Sequence, residues 1–133
     1  MAHTRLATAL SAVLMLAGVA VAAPASAASG PLAGTWTSID TDGSNQTLDI
    51  MGSGGHVYSM IYVDDAATSA CNGNPAMITG PGIVDGDVLV MNGTLTCLPG
   101  GNVFRSRLTV SFVHDSSTDT LTDDFGIVWQ REG

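Results

Sequence analysis

The chain contains no lysine, and its four arginines stand against 12 acidic residues, which gives a formal net charge of −8 at pH 7. A surface of this kind repels the phosphates of nucleic acids, so nucleic-acid binding is excluded as a function class. Adsorption to anionic lipid headgroups is disfavoured for the same reason. The excess of acids is typical of a surface that keeps an exported protein in solution.

Histidines and aromatic residues are scarce as well: the chain has three histidines, and aromatics make up 5% of it. Nucleophilic catalysis needs a nucleophile, a base and a group that orients the base. His56 and His114 each stand at the end of a strand-like run, and no Gly-x-Ser-x-Gly motif occurs. The sequence therefore predicts a protein that is not an enzyme and that carries no cofactor.

Metal binding stays open as an alternative only if folding brings His56, His114 and aspartates together. The segment 40–45 resembles a calcium loop in its alternating oxygen donors. It lacks the third acid before the glycine and the distant glutamate of such a loop. An Asp-Gly turn is the favoured interpretation, and no metal site is predicted.

Long apolar runs are absent except at the N-terminus, where Leu6–Ala23 follows the positive Arg5. The small residues Ala25-Ser26-Ala27 form a cleavage signal, so residues 1–27 are predicted to be a signal peptide. An uncleaved membrane anchor is the alternative. We expect a secreted protein, extracellular or periplasmic and bacterial in type, with a short leader at 28–33, one barrel domain at 34–133 and no membrane span in the mature chain.

The chain has only two cysteines, Cys71 and Cys97. An even pair in an exported chain predicts one disulfide. It would close a loop of roughly 25 residues and stabilise the fold by about 3 kcal/mol in the chain-entropy model.

The mature sequence has no helical period of useful length, but runs rich in Thr, Val, Ile and Leu recur between turn residues. Such runs at regular spacing are typical of an all-β sandwich or barrel. Short links imply that consecutive strands are antiparallel neighbours, as in a meander. The predicted turns are Asp42-Gly43, Gly54-Gly55, Asp85-Gly86 and Asn92-Gly93. The eight predicted strands are Thr35–Asp40, Thr47–Met51, His56–Val63, Ala76–Ile83, Asp87–Asn92 continuing to Cys97, Phe104–His114, Thr120–Asp123 and Ile127–Arg131.

Alternation within the strands predicts which side chains face the core. The predicted inward set is Leu48/Ile50, Val57/Ile61/Val63, Val88/Val90 and Leu108/Val110/Phe112. The third strand carries three further large side chains on its other face, and one methionine falls on each of four successive strands (Met51, Met60, Met77 and Met91). Two interpretations stay open for this second set, ordinary packing or an adaptable contact surface for a ligand or partner. The predicted ligand-binding residues are Tyr58, Met60, Tyr62 and Met91.

Two short motifs bracket the mature chain: Gly34-Thr35-Trp36 near its start and Trp129-Gln130-Arg131 near its end. An arginine over an indole ring is a favourable cation–π contact. Such a contact would join the first strand to the last and remove exposed sheet edges. We predict that Gly34, Trp36, Trp129 and Arg131 form a structural clasp that closes the barrel.

The same residues resemble the calycin superfamily, which includes lipocalins, avidins and small bacterial barrel inhibitors of secreted metalloproteases. The resemblance implies an eight-stranded up-and-down barrel in which the first-strand Trp36 packs at the closed end against Arg131. The chain departs from that superfamily in having no C-terminal helix pattern and no biotin-binding constellation. It also resembles short secreted bacterial proteins of unknown role that share the Gly-Thr-Trp start.

The sequence favours a carrier of a small apolar molecule, because the resemblance and the apolar inward set suit such a site. The alternative is a module that binds an extracellular protein, such as a secreted protease inhibitor. In the resembling inhibitors the leader enters the protease cleft, and the leader here would be residues 28–33.

Overall fold

The computed structural model describes residues 30–98 and 107–133. The predicted signal peptide, the first two residues of the predicted leader and the first three of the predicted sixth strand lie outside these residues. In the part described, no helix has the length and apolarity needed to cross a membrane.

Each strand pairs antiparallel with the next one along the chain, and the last returns to pair with the first. The prediction of an all-β, eight-stranded, up-and-down closed barrel is therefore confirmed. Turn residues reverse the chain after each strand-forming run, so consecutive strands become antiparallel neighbours in the sheet. The strands are β1 (Gly34–Ile39), β2 (Asn45–Met51), β3 (Val57–Asp64), β4 (Ala76–Asp85), β5 (Val88–Cys97), β6 (Arg107–Asp115), β7 (Thr120–Asp123) and β8 (Val128–Arg131).

The hairpin between β4 and β5 shows how turn residues set the register. Asp85 pairs with Val88, so the link consists of Gly86 and Asp87 alone. Gly86 has a φ of 64°, a conformation that glycine adopts without a steric cost. One predicted turn is wrong: Asn92-Gly93 lies inside β5, which continues to Cys97.

The predicted inward faces are right for β2 and β6 and wrong for β3 and β5. In β3 the buried side chains include Tyr58 and Met60, while Val57 is 62% exposed and Ile61 and Val63 are only partly buried. In β5 the side chains of Leu89 and Met91 are buried, and Val88 and Val90 lie on the outer face. Both faces of these strands are apolar, so alternation alone does not choose between them.

The four methionines on successive strands do not align on one face of the sheet. Met60 and Met91 point into the barrel and are about 1% or less exposed. Met51 is 48% exposed, and Met77 lies between the inward side chains of Ala76 and Ile78 on the opposite face of β4. The four methionines therefore divide equally between the two sides of the sheet.

The interior of the barrel is filled by its own side chains. The fully buried large residues are Trp36, Trp129, Phe112, Leu48, Ile50, Met60, Leu89, Met91 and Leu121. A Cβ atom added to the inward-facing Gly93 would lie 2.4 Å from Cγ2 of Ile78, far inside van der Waals contact. Even one methyl group therefore has no space at this point of the core.

We expect Gly93→Ala to lower the free energy of unfolding by about 1–3 kcal/mol, because it overpacks the core. Gly55→Ala is the control: nothing lies within 4 Å of an added Cβ there, so the change should be neutral or slightly stabilising. Urea unfolding followed by tryptophan fluorescence measures both. Equal stability of Gly93→Ala and the wild type would mean that the interior holds spare volume.

Candidate functional site

The four residues predicted to bind a ligand share the interior of the barrel. Tyr58, Met60 and Met91 are 2%, 1% and 0% exposed, and Tyr62 is partly buried. They pack within the main core, not on a separate surface. Their binding role stays a prediction.

Tyr62 belongs to an aromatic cluster in the upper half of the core, the half nearer the β3–β4 loop. Its ring centroid is 5.4 Å from that of Trp129, which in turn is 5.9 Å from Phe112. Burial raises the pKa of the Tyr62 phenol well above its usual value, and the negative charge of Asp64 adds to the effect. The hydroxyl therefore stays protonated at neutral pH and is not a base.

Trp129 anchors the turn between β7 and β8. Its Nε1 donates a hydrogen bond to Oδ2 of Asp123 over 3.1 Å. The other carboxylate oxygen accepts from the backbone N–H groups of Phe125 and Ile127, at 2.9 and 3.0 Å. This buried carboxylate is thus fully engaged in holding the turn and the indole together.

Trp36 and Arg131 meet where β1 pairs with β8. The guanidinium carbon of Arg131 lies 4.1 Å from the centroid of the Trp36 ring, and the two residues are partners in the sheet register. A Cβ on Gly34 would lie 3.0 Å from Nη1 of this arginine, and Gly34 has a φ of 142°. The backbone conformation therefore favours glycine here, and the arginine leaves little room for a side chain.

Arg131 also binds the chain segment that precedes β1. Its Nη1 and Nη2 groups donate to the carbonyl oxygens of Ala33 and Pro31. Trp36 Nε1 donates to the carbonyl of Leu32 over 3.0 Å, and the Leu32 side chain is 5% exposed. The described part of the leader is therefore fastened across this end of the barrel.

Asp119 completes the network around Arg131. Its two oxygens accept hydrogen bonds of 2.7 and 3.0 Å from Nε and Nη2 of the arginine. His114 Nε2 lies 3.3 Å from the same carboxylate. Together these contacts lower the pKa of Asp119 to about 2, and the hydrogen bond with Arg131 has the largest effect. Asp119 has a φ of 51°, a conformation that aspartate tolerates better than most residues.

The two histidines line one groove at this same end of the barrel. The groove has a volume of about 220 Å³, and its wall includes His56, His114, Asp87 and Tyr58. Across residues 30–98 and 107–133, no group of three or more His, Cys, Asp or Glu side chains is arranged to hold a metal ion.

The opposite end of the barrel is covered by the loop between β3 and β4. Cys71 in this loop is bonded to Cys97 at the end of β5, so the predicted disulfide is confirmed. The side chains of Ala67 and Cys71 are 8% and 4% exposed and pack against the core. The disulfide thus holds the loop down as a cover.

The outer wall carries a contiguous apolar patch that sequence reasoning did not predict. Its row across β3, β4 and β5 is set by the register pairs Val57–Ile83 and Ile83–Val90. Val88 and Val113, which are paired across β5 and β6, extend it. These five residues form what we term the valine face. Three of them had been predicted to lie inside.

A second apolar surface lies at the seam between β1 and β8. These strands pair only at Trp36–Arg131 and Thr37–Gln130. Beyond these two pairs they border a groove of about 850 Å³, whose lining includes Ile39 and Val128. The two side chains are 59% and 51% exposed.

Comparison of the chain with protein-family models, with curated proteins and with solved structures found no match in any of the three.

We expect Trp36→Ala to lower the free energy of unfolding by about 3–5 kcal/mol, because it empties a core position and removes the surface beneath Arg131. Denaturant titration followed by circular dichroism measures the effect. A folded variant of wild-type stability would mean that the indole does not hold the barrel closed.

We expect the free energy of unfolding in acid to depend on the ionisation of the Asp119 carboxylate. Its folded pKa lies below the usual 3.8, so its stabilising effect is present above pH about 4 and is lost as the pH falls toward 2. Asp119→Asn should therefore flatten the decline in the free energy of unfolding across that interval. Asp65→Asn, which changes an exposed acid at the other end of the barrel, is the control. Identical pH profiles for Asp119→Asn and the wild type would contradict the assignment.

Proposed function

We propose that this protein is an exported, non-enzymatic barrel of the calycin type that acts as a protein–protein interaction module. The observation that carries the proposal is the filled interior. Met60 and Met91, with no more than 1% of their surface exposed, take part in filling it, and a ligand of even modest size would have to displace such side chains. Binding at the outer surface has no such cost.

The described leader residues argue for the barrel wall as the binding surface. Gly30 is buried, and its N–H donates to the carbonyl of Gly52 over 2.8 Å. Arg131 and Trp36 bind the carbonyl groups of the following residues. A leader fastened in this way does not suit insertion into a protease cleft, so we propose docking through the wall instead.

Export is part of the same proposal. The Cys71–Cys97 bond suits an oxidising compartment, because cytosolic thiols are kept reduced. The predicted signal peptide and the acidic, lysine-free composition support the same location.

The carrier function that the sequence favoured stays a prediction. It would require the packed side chains of Tyr58, Met60 and Met91 to move apart and open a cavity.

Two measurements on the oxidised mature protein distinguish the two functions. The first is capture of binding proteins from the native exported fraction, followed by titration of the purified binder. The second is displacement of a fluorescent fatty acid. We expect saturable binding of a purified protein and no displacement. Displacement at one probe per barrel, without any protein binder, would overturn the proposal and favour the carrier.

A further inference from the structure

We propose that the valine face is the docking surface of this module, and that it takes a protein whose own apolar patch is ringed by lysine and arginine. This inference rests on the interaction function proposed above. It is carried by two features of the wall: the contiguity of the five apolar residues and the sign of the charges around them.

The register places all five side chains on one outer surface. Val57, Ile83 and Val90 stand side by side across three strands, and Val88 and Val113 form a second pair one step along the barrel. Given the usual spacings between strands and along them, the face spans about 14 Å by about 7 Å between Cα positions.

Three of the five side chains of the valine face are exposed, and Val88 and Val90 are partly buried. Val57, Ile83 and Val113 are 62%, 50% and 47% exposed. Single exposed apolar residues are ordinary on protein surfaces, but contiguous ones mark sites of interaction. An uncharged, pleated surface of β-branched side chains offers a rigid contact that loses little side-chain entropy on binding.

Three acids border the valine face. Asp85 is the register partner of Val88, and Asp115 follows Val113 by two residues on the same side of β6. Asp87 lies in the turn between β4 and β5, and its carbonyl accepts the N–H of His114. All three are exposed. Hydrogen bonds from Ser117 lower the pKa of Asp115 and keep it ionised.

No arginine of the described residues offsets these acids. Arg131 is bound to Asp119. Arg107 lies four residues from Ser111, the register partner of Val90, a distance of about 14 Å along an extended strand. The rim around the face is therefore negative, and a partner with a positive rim complements it.

The same charges argue against two other occupants. A second copy of this chain would bring its own Asp85, Asp87 and Asp115 against the first set, and like charges across an interface are repulsive. An anionic membrane surface would meet the same repulsion. A protein with a basic rim is the occupant that suits both the apolar centre and its border.

The test uses two synthetic amphipathic peptides that share one leucine- and valine-rich face and carry lysines or glutamates at its margins. Calorimetry measures their binding to the oxidised mature protein. We expect binding of the lysine peptide, weakened by added salt, and affinity at least about tenfold lower for the glutamate peptide.

Matched variants locate the contact. Ile83→Ser with Val113→Ser should weaken binding of the lysine peptide by at least about tenfold, because two central apolar contacts are lost. The control is Ile39→Ser with Val128→Ser, which removes the same residue types at similar exposure from the seam and should change affinity by less than about twofold. Both double variants alter exposed positions, and circular dichroism checks that they fold.

The rim has its own pair of variants. Asp85→Asn with Asp87→Asn should weaken binding of the lysine peptide several-fold and reduce its dependence on salt. Asp65→Asn with Asp42→Asn, which removes two exposed acids from the other end of the barrel, should leave both unchanged.

Several outcomes would overturn the inference. Three concern the peptides: no binding of either peptide, equal binding of both, or an equal loss of affinity for the lysine peptide in the two apolar double variants. Two concern other occupants: dimerisation that Ile83→Ser with Val113→Ser abolishes, and binding to vesicles of anionic lipid. The broader function is judged separately. If an exported protein binds the wild type and the Ile83→Ser, Val113→Ser variant equally, the valine face is not the docking surface. The proposed interaction function would still hold in that case.

Discussion

The barrel closes through one short seam, and the contacts of Arg131 are what hold that seam together. β1 and β8 share only two residue pairs in the register, which by themselves are a weak closure. One guanidinium stacks on Trp36, forms a bidentate ion pair with Asp119 and binds two carbonyl groups of the leader. It thereby joins β8 to β1, to the β6–β7 turn and to the segment before the first strand. Without closure the sheet would present two open edges, which invite pairing with other chains.

Closure of the barrel also decides which side chains lie inside it and which lie on its outer wall. A barrel of eight strands has an interior just wide enough to be filled by side chains. The aromatic and methionine side chains of β3, β5 and β6 occupy that volume, and Gly93 provides the space that Ile78 needs. Since the large side chains point inward, Val57, Val88, Val90 and Val113 are left on the outer face. The packed core and the valine face are therefore two results of one register.

Much of the architecture follows from local chemistry. The strand-forming runs, the turn glycines and the even pair of cysteines predicted a meander of eight strands with one disulfide, because each of these signals acts over a few residues. The positions of Asp119 and Asp123 had no such signal. Asp119 meets Arg131 and Asp123 meets Trp129 only after the strands are aligned, so their roles depend on contacts between distant or successive strands.

The sequence by itself determined the class of fold, the order of its strands and the bond between Cys71 and Cys97, since these depend on composition and on spacing along the chain. Only the tertiary structure decided which faces of β3 and β5 are buried. Both faces of these strands are apolar, so the choice comes from register with their neighbours. A shift of one residue would exchange Met60 with Ile61 and Met91 with Val90. The surface that we propose for binding was therefore visible as apolar residues in the sequence, while its exposure was fixed by the closed sheet.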